Sequence, residues 1–252
     1  MGRETSALVS TDLVEALARR RALVRHPAPE GVTAPPMRYL LGELADFVHR
    51  RRKAADFPPA QRPQPVMLLP GFAAHPLRMA RMERALAAAG HRVYPWGLGF
   101  NLGPTEANFA FMMRRVAALA RTHGQRVALV GWSLGGLYAR ELARRQPQHV
   151  AKVITMGSPF SGDIHANHAW RAYELITGYE AEHPPIACDF ATKPPVPTIA
   201  LWSPRDGIVS PRAACGRRGE RDRAVALRCT HLGFGGAPEV IAEVLRQLDY
   251  DD

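Results

Sequence analysis

Val127-Ala128-Leu129-Val130-Gly131-Trp132-Ser133-Leu134-Gly135-Gly136 decides how the rest of the chain reads. The four apolar residues that open it make a short buried strand, and residues 134–145 have helical spacing. Ser133 therefore falls on an abrupt strand-to-helix turn, which pushes its hydroxyl out above the sheet. Side chains two positions either side would meet neighbouring backbone, which accounts for Gly131 and Gly135. The positive end of the helix that follows is directed at the same place.

The pattern spreads outward from this turn in both directions. Residues 66–69 are an apolar run closed by Pro70-Gly71, and a helix over about 76–89 stops at Gly90. A strand at 91–94 precedes a helix over 105–123, ended by Gly124. Further strands fall at 150–156, 197–202 and 224–227, and a helix over about 238–248 closes the chain. Short apolar strands alternating with amphipathic helices predict an α/β fold, a mostly parallel doubly wound sheet with helices on both faces. One insertion, 160–195, interrupts the rhythm. Its helical piece, 169–177, carries Trp170, Tyr173, Leu175 and Ile176.

Residues 1–62 read differently, as a helical N-terminal extension and proline-rich linker ahead of a main domain over 63–252. Asp12 with Glu15 can cap a helix bearing Leu13, Leu17 and Val24. A second helix carries Leu40, Leu41, Leu44, Phe47 and Val48 on one face, a stripe expected to pack on the main domain. Pro58, Pro59, Pro63 and Pro65 then form the linker.

Composition narrows the function classes. Of 252 residues, 46% are hydrophobic and 22% charged, which excludes a disordered or fibrous chain. No stretch reaches the roughly 20 apolar residues of a membrane span. The opening residues lack the apolar run of a secretory signal, although Gly2 fits a loose myristoylation pattern. A cytoplasmic protein, with a peripheral membrane position left open, is the expectation. Net charge is +10. The basic clusters, Arg19-Arg21, Arg50-Lys53, Arg114-Arg115 and Arg144-Arg145, lie on separate helices without aromatics that would stack bases. Solvated helix faces explain them better than nucleic acid, which is not an expected partner. Cys188, Cys215 and Cys229 match no zinc spacing. A Cys215–Cys229 bridge and three free thiols both remain open.

A serine hydroxyl needs a base, and the base an orienting acid. Asp206 follows the strand at 197–202, and His231 follows the strand at 224–227. Three strand ends thus deliver serine, acid and base in that chain order. Asp163 and Asp189 are alternative acids at the borders of the insertion, while Asp222 sits at the wrong end of its strand. His26, His49, His91, His123 and His149 read as solvated residues. His75 follows the first strand, near the site but ahead of the serine. His165, His168 and His183 fall in the insertion. An oxyanion needs two preorganised donors. The N–H groups of Leu134 and of Phe72, after Pro70-Gly71, are the candidates.

Leu68-Leu69-Pro70-Gly71-Phe72, the turn at 131–136, Asp206-Gly207-Ile208-Val209 and Thr230-His231-Leu232 together resemble the α/β-hydrolase superfamily, more narrowly its bacterial lipases and carboxylesterases. The resemblance runs from about residue 66 to the end of the chain. It implies an oxyanion loop at Phe72 and Leu134, the nucleophile Ser133, the acid Asp206 and the base His231. It also implies no cofactor or metal, and a small ester or lipid-like substrate. Two departures stand out. Pro70 occupies the place where many lipases carry histidine, and the usual leading antiparallel strands are missing, which predicts a reduced sheet. In relatives an insertion like 160–195 forms a cap. Phe72, Trp132, Phe100, Trp170 and Tyr173 are the candidate substrate contacts, with Leu102 and Leu134 as further walls. The insertion's aromatics could equally be its own small core. The implied activity is cleavage of a carboxylic ester through an acyl-enzyme. Acyl transfer, thioester cleavage and a non-catalytic binding role on the same fold remain alternatives.

Overall fold

The computed structural model describes residues 29–48 and 57–250, with residues 15, 18, 20–23 and 25. The capped helix expected from Asp12, with Leu13, Leu17 and Val24, lies largely outside the described residues. So do Gly2, Arg19, His26, His49, the basic run 50–53 and the side chains of Leu44, Phe47 and Val48.

The elements, in chain order, are α1 (Met37–Val48), β1 (Pro65–Leu69), α2 (Ala80–Ala88), β2 (Arg92–Pro95), α3 (Glu106–His123), β3 (Val127–Trp132) and α4 (Leu134–Arg145). They continue as β4 (Val150–Met156), α5 (Trp170–Thr177), β5 (Thr198–Trp202), α6 (Pro211–Cys215), β6 (Arg223–Ala226) and α7 (Pro238–Asp249). The strands form one sheet in the order β2-β1-β3-β4-β5-β6, and every pairing is parallel. The reduced sheet is therefore wholly parallel among the described residues.

Strand alternation sends successive side chains to opposite faces. Val66, Leu68, Val130, Trp132 and Met156 meet α2 and α7 through Met82, Leu86, Val240 and Val244. Met67, Leu69 and Leu129 meet α3 and α4 through Phe109, Met112, Val116 and Leu142. Burial on both faces is why β1 and β3 read as unbroken apolar runs. Each such side chain contributes about 1.5–3 kcal/mol by leaving water. Helix ends follow local chemistry. The Thr105 hydroxyl accepts from Asn108 N at the start of α3, and left-handed Gly124 ends it.

Boundaries differ in small ways from expectation. The helix foreseen at 76–89 opens as a 3-10 turn, Pro76–Met79, capped by the His75 ring, before α2 begins. The linker is pinned rather than loose: Asp249 on α7 accepts from Gln61 N and Arg62 N at 3.1 and 3.0 Å. His91 is buried, not solvated. Its Nδ1 accepts from Gln64 N, and burial lowers its pKa. All three cysteines are free thiols. No helix among the described residues is long and apolar enough to cross a membrane.

The insertion is fastened at both ends. Its residues 166–168 lie along 208–210, through His168 N to Ile208 O and Ser210 N to Ala166 O. Arg140 on α4, only 1% exposed, donates to the carbonyls of Phe190, Ala191, Thr192 and Glu220 and stacks on Phe160. Burial lowers its pKa to about 10, still leaving it charged at neutral pH. Replacing Arg140 with Met leaves four carbonyls without their donor. Urea unfolding should show a loss of about 3 kcal/mol, and limited proteolysis should open new cuts between residues 163 and 192.

Candidate active site

Ser133 has φ 53° and ψ −122°, a region that non-glycine residues rarely occupy. Packing holds it there. A Cβ on Gly131 would overlap the Gly135 carbonyl, and one on Gly135 would overlap the Leu69 carbonyl. The backbone of β3, α4 and β1 thus meets where only glycines fit. Ser133 N donates to Met156 O at 2.8 Å, tying the turn to β4.

The other two candidates arrive from β5 and β6. Asp206 Oδ2 lies 2.7 Å from His231 Nδ1, and both side chains are buried. Asp206 Oδ1 accepts from Ile208 N and Val209 N, which fixes the carboxylate's orientation. Burial of the His231 ring disfavours its charged form. The Asp206 charge, the hydrogen bond to it and the Glu43 carboxylate outweigh that and hold its pKa above the ordinary 6.5. The rival acids are engaged elsewhere. Asp163 pairs with His165, Asp189 with Thr192, and Asp222 with Lys193 and Thr198 N.

β1 pairs with β3 so that Leu69 faces Gly131, and the loop after β1 leaves beside the serine turn. A Cβ on Gly71 would stand 3.3 Å from Ser133 Cβ, which shows how closely this loop approaches. Among the described residues, neither the Phe72 nor the Leu134 N–H is spent on a loop or turn carbonyl. Asn101, fully buried, shapes the loop. Its side chain donates to Pro70 O at 2.8 Å and accepts from Tyr138 Oη and Gly103 N. Its backbone bonds both Ala73 N and Ala74 O, and Ala73 is held at φ 55°. Nothing in the sequence around Phe100-Asn101-Leu102 marks this role.

A cleft opens at Ser133. Phe72, Leu134, Leu137, Trp170, Tyr173 and Phe190 are among its walls, and no described residue lining it is charged. Trp170 and Tyr173 thus line the cleft, while Leu175, Ile176 and Tyr179 are exposed. Two expected contacts lie elsewhere. Trp132 points to the α2/α7 face because strand alternation turns it away from the cleft. There its Nε1 donates to His231 O at 3.0 Å. Phe100 is 63% exposed with its ring against His75, and Leu102 is also exposed, since both sit on the outer side of the loop that Asn101 anchors. His75 itself caps its own turn and does not line the cleft. No group of three or more metal-ligating side chains exists among the described residues.

Comparison with known proteins agrees with this architecture. Residues 64–178 match the family model of the alpha/beta hydrolase fold. The chain is similar to lipase B of Aspergillus fumigatus, with 18% identity over 90% of this chain and 64% of that one, TM-score 0.56. A pyrethroid hydrolase from Sphingobium faniae JZ-2 is 20% identical over 74% of this chain and 97% of that one, TM-score 0.52. Polyneuridine aldehyde esterase is 12% identical over 75% of this chain and 100% of that one, TM-score 0.52. No curated protein sequence matches the chain. The chain is an α/β-hydrolase-fold protein, its sheet reduced to six parallel strands among the described residues.

Gly135→Ala tests the serine turn directly. The added methyl has only backbone to push against. The variant should lose about 3 kcal/mol in chemical denaturation, and an unchanged midpoint would contradict the packing described here.

Proposed function

We propose that this chain is a serine hydrolase cleaving carboxylic esters with an apolar acyl or alcohol part. The observation that carries the reading is the buried 2.7 Å contact of His231 with Asp206, beside the apolar cleft that Ser133 lines. In this reading Ser133 Oγ bonds to the ester carbonyl carbon while His231 Nε2 takes its proton. The oxyanion rests on the Phe72 and Leu134 amides. Collapse breaks the bond to the alkoxy oxygen, which leaves as the alcohol with the proton from His231. Water, deprotonated by the same nitrogen, then splits the acyl-enzyme to the acid and frees Ser133. Asp206 keeps the imidazole in the tautomer that this requires and stabilises its cation. No step needs a metal or an organic cofactor.

The cleft has the apolar lining, with a few polar groups, of a small-molecule site. Without a charged wall it offers nothing to a carboxylate on the acyl chain, and desolvating one there is costly. Neutral acyl groups are the substrate class that fits.

The test is hydrolysis of a p-nitrophenyl ester series from short to long acyl, with a hemisuccinate beside it. Neutral esters should turn over and the hemisuccinate should lag. Ser133→Ala should lower kcat by about 10⁴-fold or more. A wild type inert on all esters but labelled at Ser133 by a fluorophosphonate would point to thioesters or acyl transfer. An unlabelled Ser133 would favour a binding role on this fold.

The pH profile provides a second check. His231 must be neutral to accept the proton, and its pKa lies above 6.5. kcat/KM should therefore be full at alkaline pH and fall as pH drops through a midpoint above 6.5. A midpoint below that value would contradict the electrostatic account of the site.

A further inference from the structure

Glu43 lies on α1, 188 residues away from His231 along the chain, and is only 3% exposed. Its carboxylate accepts from three backbone amides and no other described donor bonds it. Oε1 takes Gly207 N at 2.9 Å and His231 N at 2.6 Å; Oε2 takes Leu232 N at 2.8 Å. Gly207 directly follows Asp206, so one side chain bonds the turn bearing the acid and the turn bearing the base. The approach is tight. A Cβ on Gly207 would stand 2.6 Å from the Tyr39 carbonyl carbon and oxygen and 2.9 Å from Leu40 N. The glycine after the acid is therefore the seat of α1.

We propose that Glu43 is a positioning residue of the site, holding the Asp206 and His231 turns in register and placing a second negative charge beside the imidazole. The proposal rests on the ester-hydrolase reading for its kinetic consequences, but its geometry stands apart from it. A buried carboxylate is costly unless its oxygens are satisfied. Here the satisfaction comes from the backbone of the two turns the chemistry needs, and those amides would otherwise be buried without acceptors. Two acids face His231, Asp206 from the β5 turn and Glu43 from α1. Among the described residues, the rings packed against the imidazole, Trp132 and Phe234, are neutral. Removing either acid must make the imidazolium harder to form.

The experiment uses the full chain. Glu43→Gln removes the charge and turns an N–H₂ group toward at least one of the three amides. With the best p-nitrophenyl ester, kcat should fall about tenfold to a hundredfold. KM should stay within about twofold, because the cleft is untouched. The His231 imidazole, titrated by NMR on histidine-labelled protein, should titrate at lower pH than in wild type. Glu43→Asp keeps the charge but shortens the reach, so kcat should fall while the His231 titration stays nearer the wild-type value. Leu41→Ala, on the exposed side of α1, should leave both unchanged. A Glu43→Gln variant with wild-type kcat and an unmoved His231 titration overturns the proposal. If that variant does not fold, the wild type answers. The amide protons of Gly207, His231 and Leu232 should resonate downfield and resist hydrogen exchange, and exchange at the rate of open turns overturns the proposal. These NMR readings need no substrate. Failure of the ester-hydrolase reading would appear instead as an inert wild type with an unlabelled Ser133.

Discussion

The constraint on which the site depends is the unfavourable backbone of Ser133. A φ of 53° in a non-glycine residue costs about 1–3 kcal/mol and persists only where surrounding structure over-determines it. Here the determinants are backbone. Gly131 lies under Gly135, Gly135 lies against Leu69 and Pro70, and Ser133 N is bound to Met156 O. Three adjacent parallel strands, β1, β3 and β4, must therefore be in register before the serine can stand where it does. The loop after β1 is drawn to the same spot by the same register. Strain at one residue and the order of the central sheet are one arrangement.

Around that turn the molecule separates polar and apolar duties by strand alternation. One face of the sheet holds Trp132 and Phe234 beneath the His231 turn. The other face, with α3, α4 and the insertion, builds a cleft without charged walls. Three buried polar side chains bond chiefly to the backbone. Asn101 holds the loop after β1, Glu43 the turns at Asp206 and His231, and Arg140 the far end of the insertion. Each sits where one side chain meets backbone groups from two or more segments. Fixed dipoles of this kind confine a loop more firmly than apolar contact, because each bond has a direction.

Much of this could be read from residue order. The strands were evident because burial on both faces leaves no polar residue to break the run, and glycines at 90 and 124 closed their helices. Ser133, Asp206 and His231 stood out because each follows a strand. What could not be read is contact between distant segments. Asn101 sits in a loop whose composition is ordinary. Glu43 left a faint trace, an acid three residues after Leu40 and four before Phe47, in the middle of an apolar stripe. Trp132 adjoins Ser133 in sequence, yet the pleat turns its ring to the opposite face, which adjacency along the chain does not reveal. His91 looked solvated because its partner Gln64 N lies 27 residues away.

The Glu43 contact also bears on the order in which the chain can close during synthesis. Glu43 leaves the ribosome 188 residues ahead of His231, in the turn at 231–232 that it grips. Until residue 207 is made the carboxylate has none of its partner amides, and a product released short of residue 231 offers it only one of the three. Helix α1 completes its docking only once both of those later turns exist. Closure of α1 onto these turns is thus a late event, timed by the distance in sequence between a carboxylate and the amides that satisfy it.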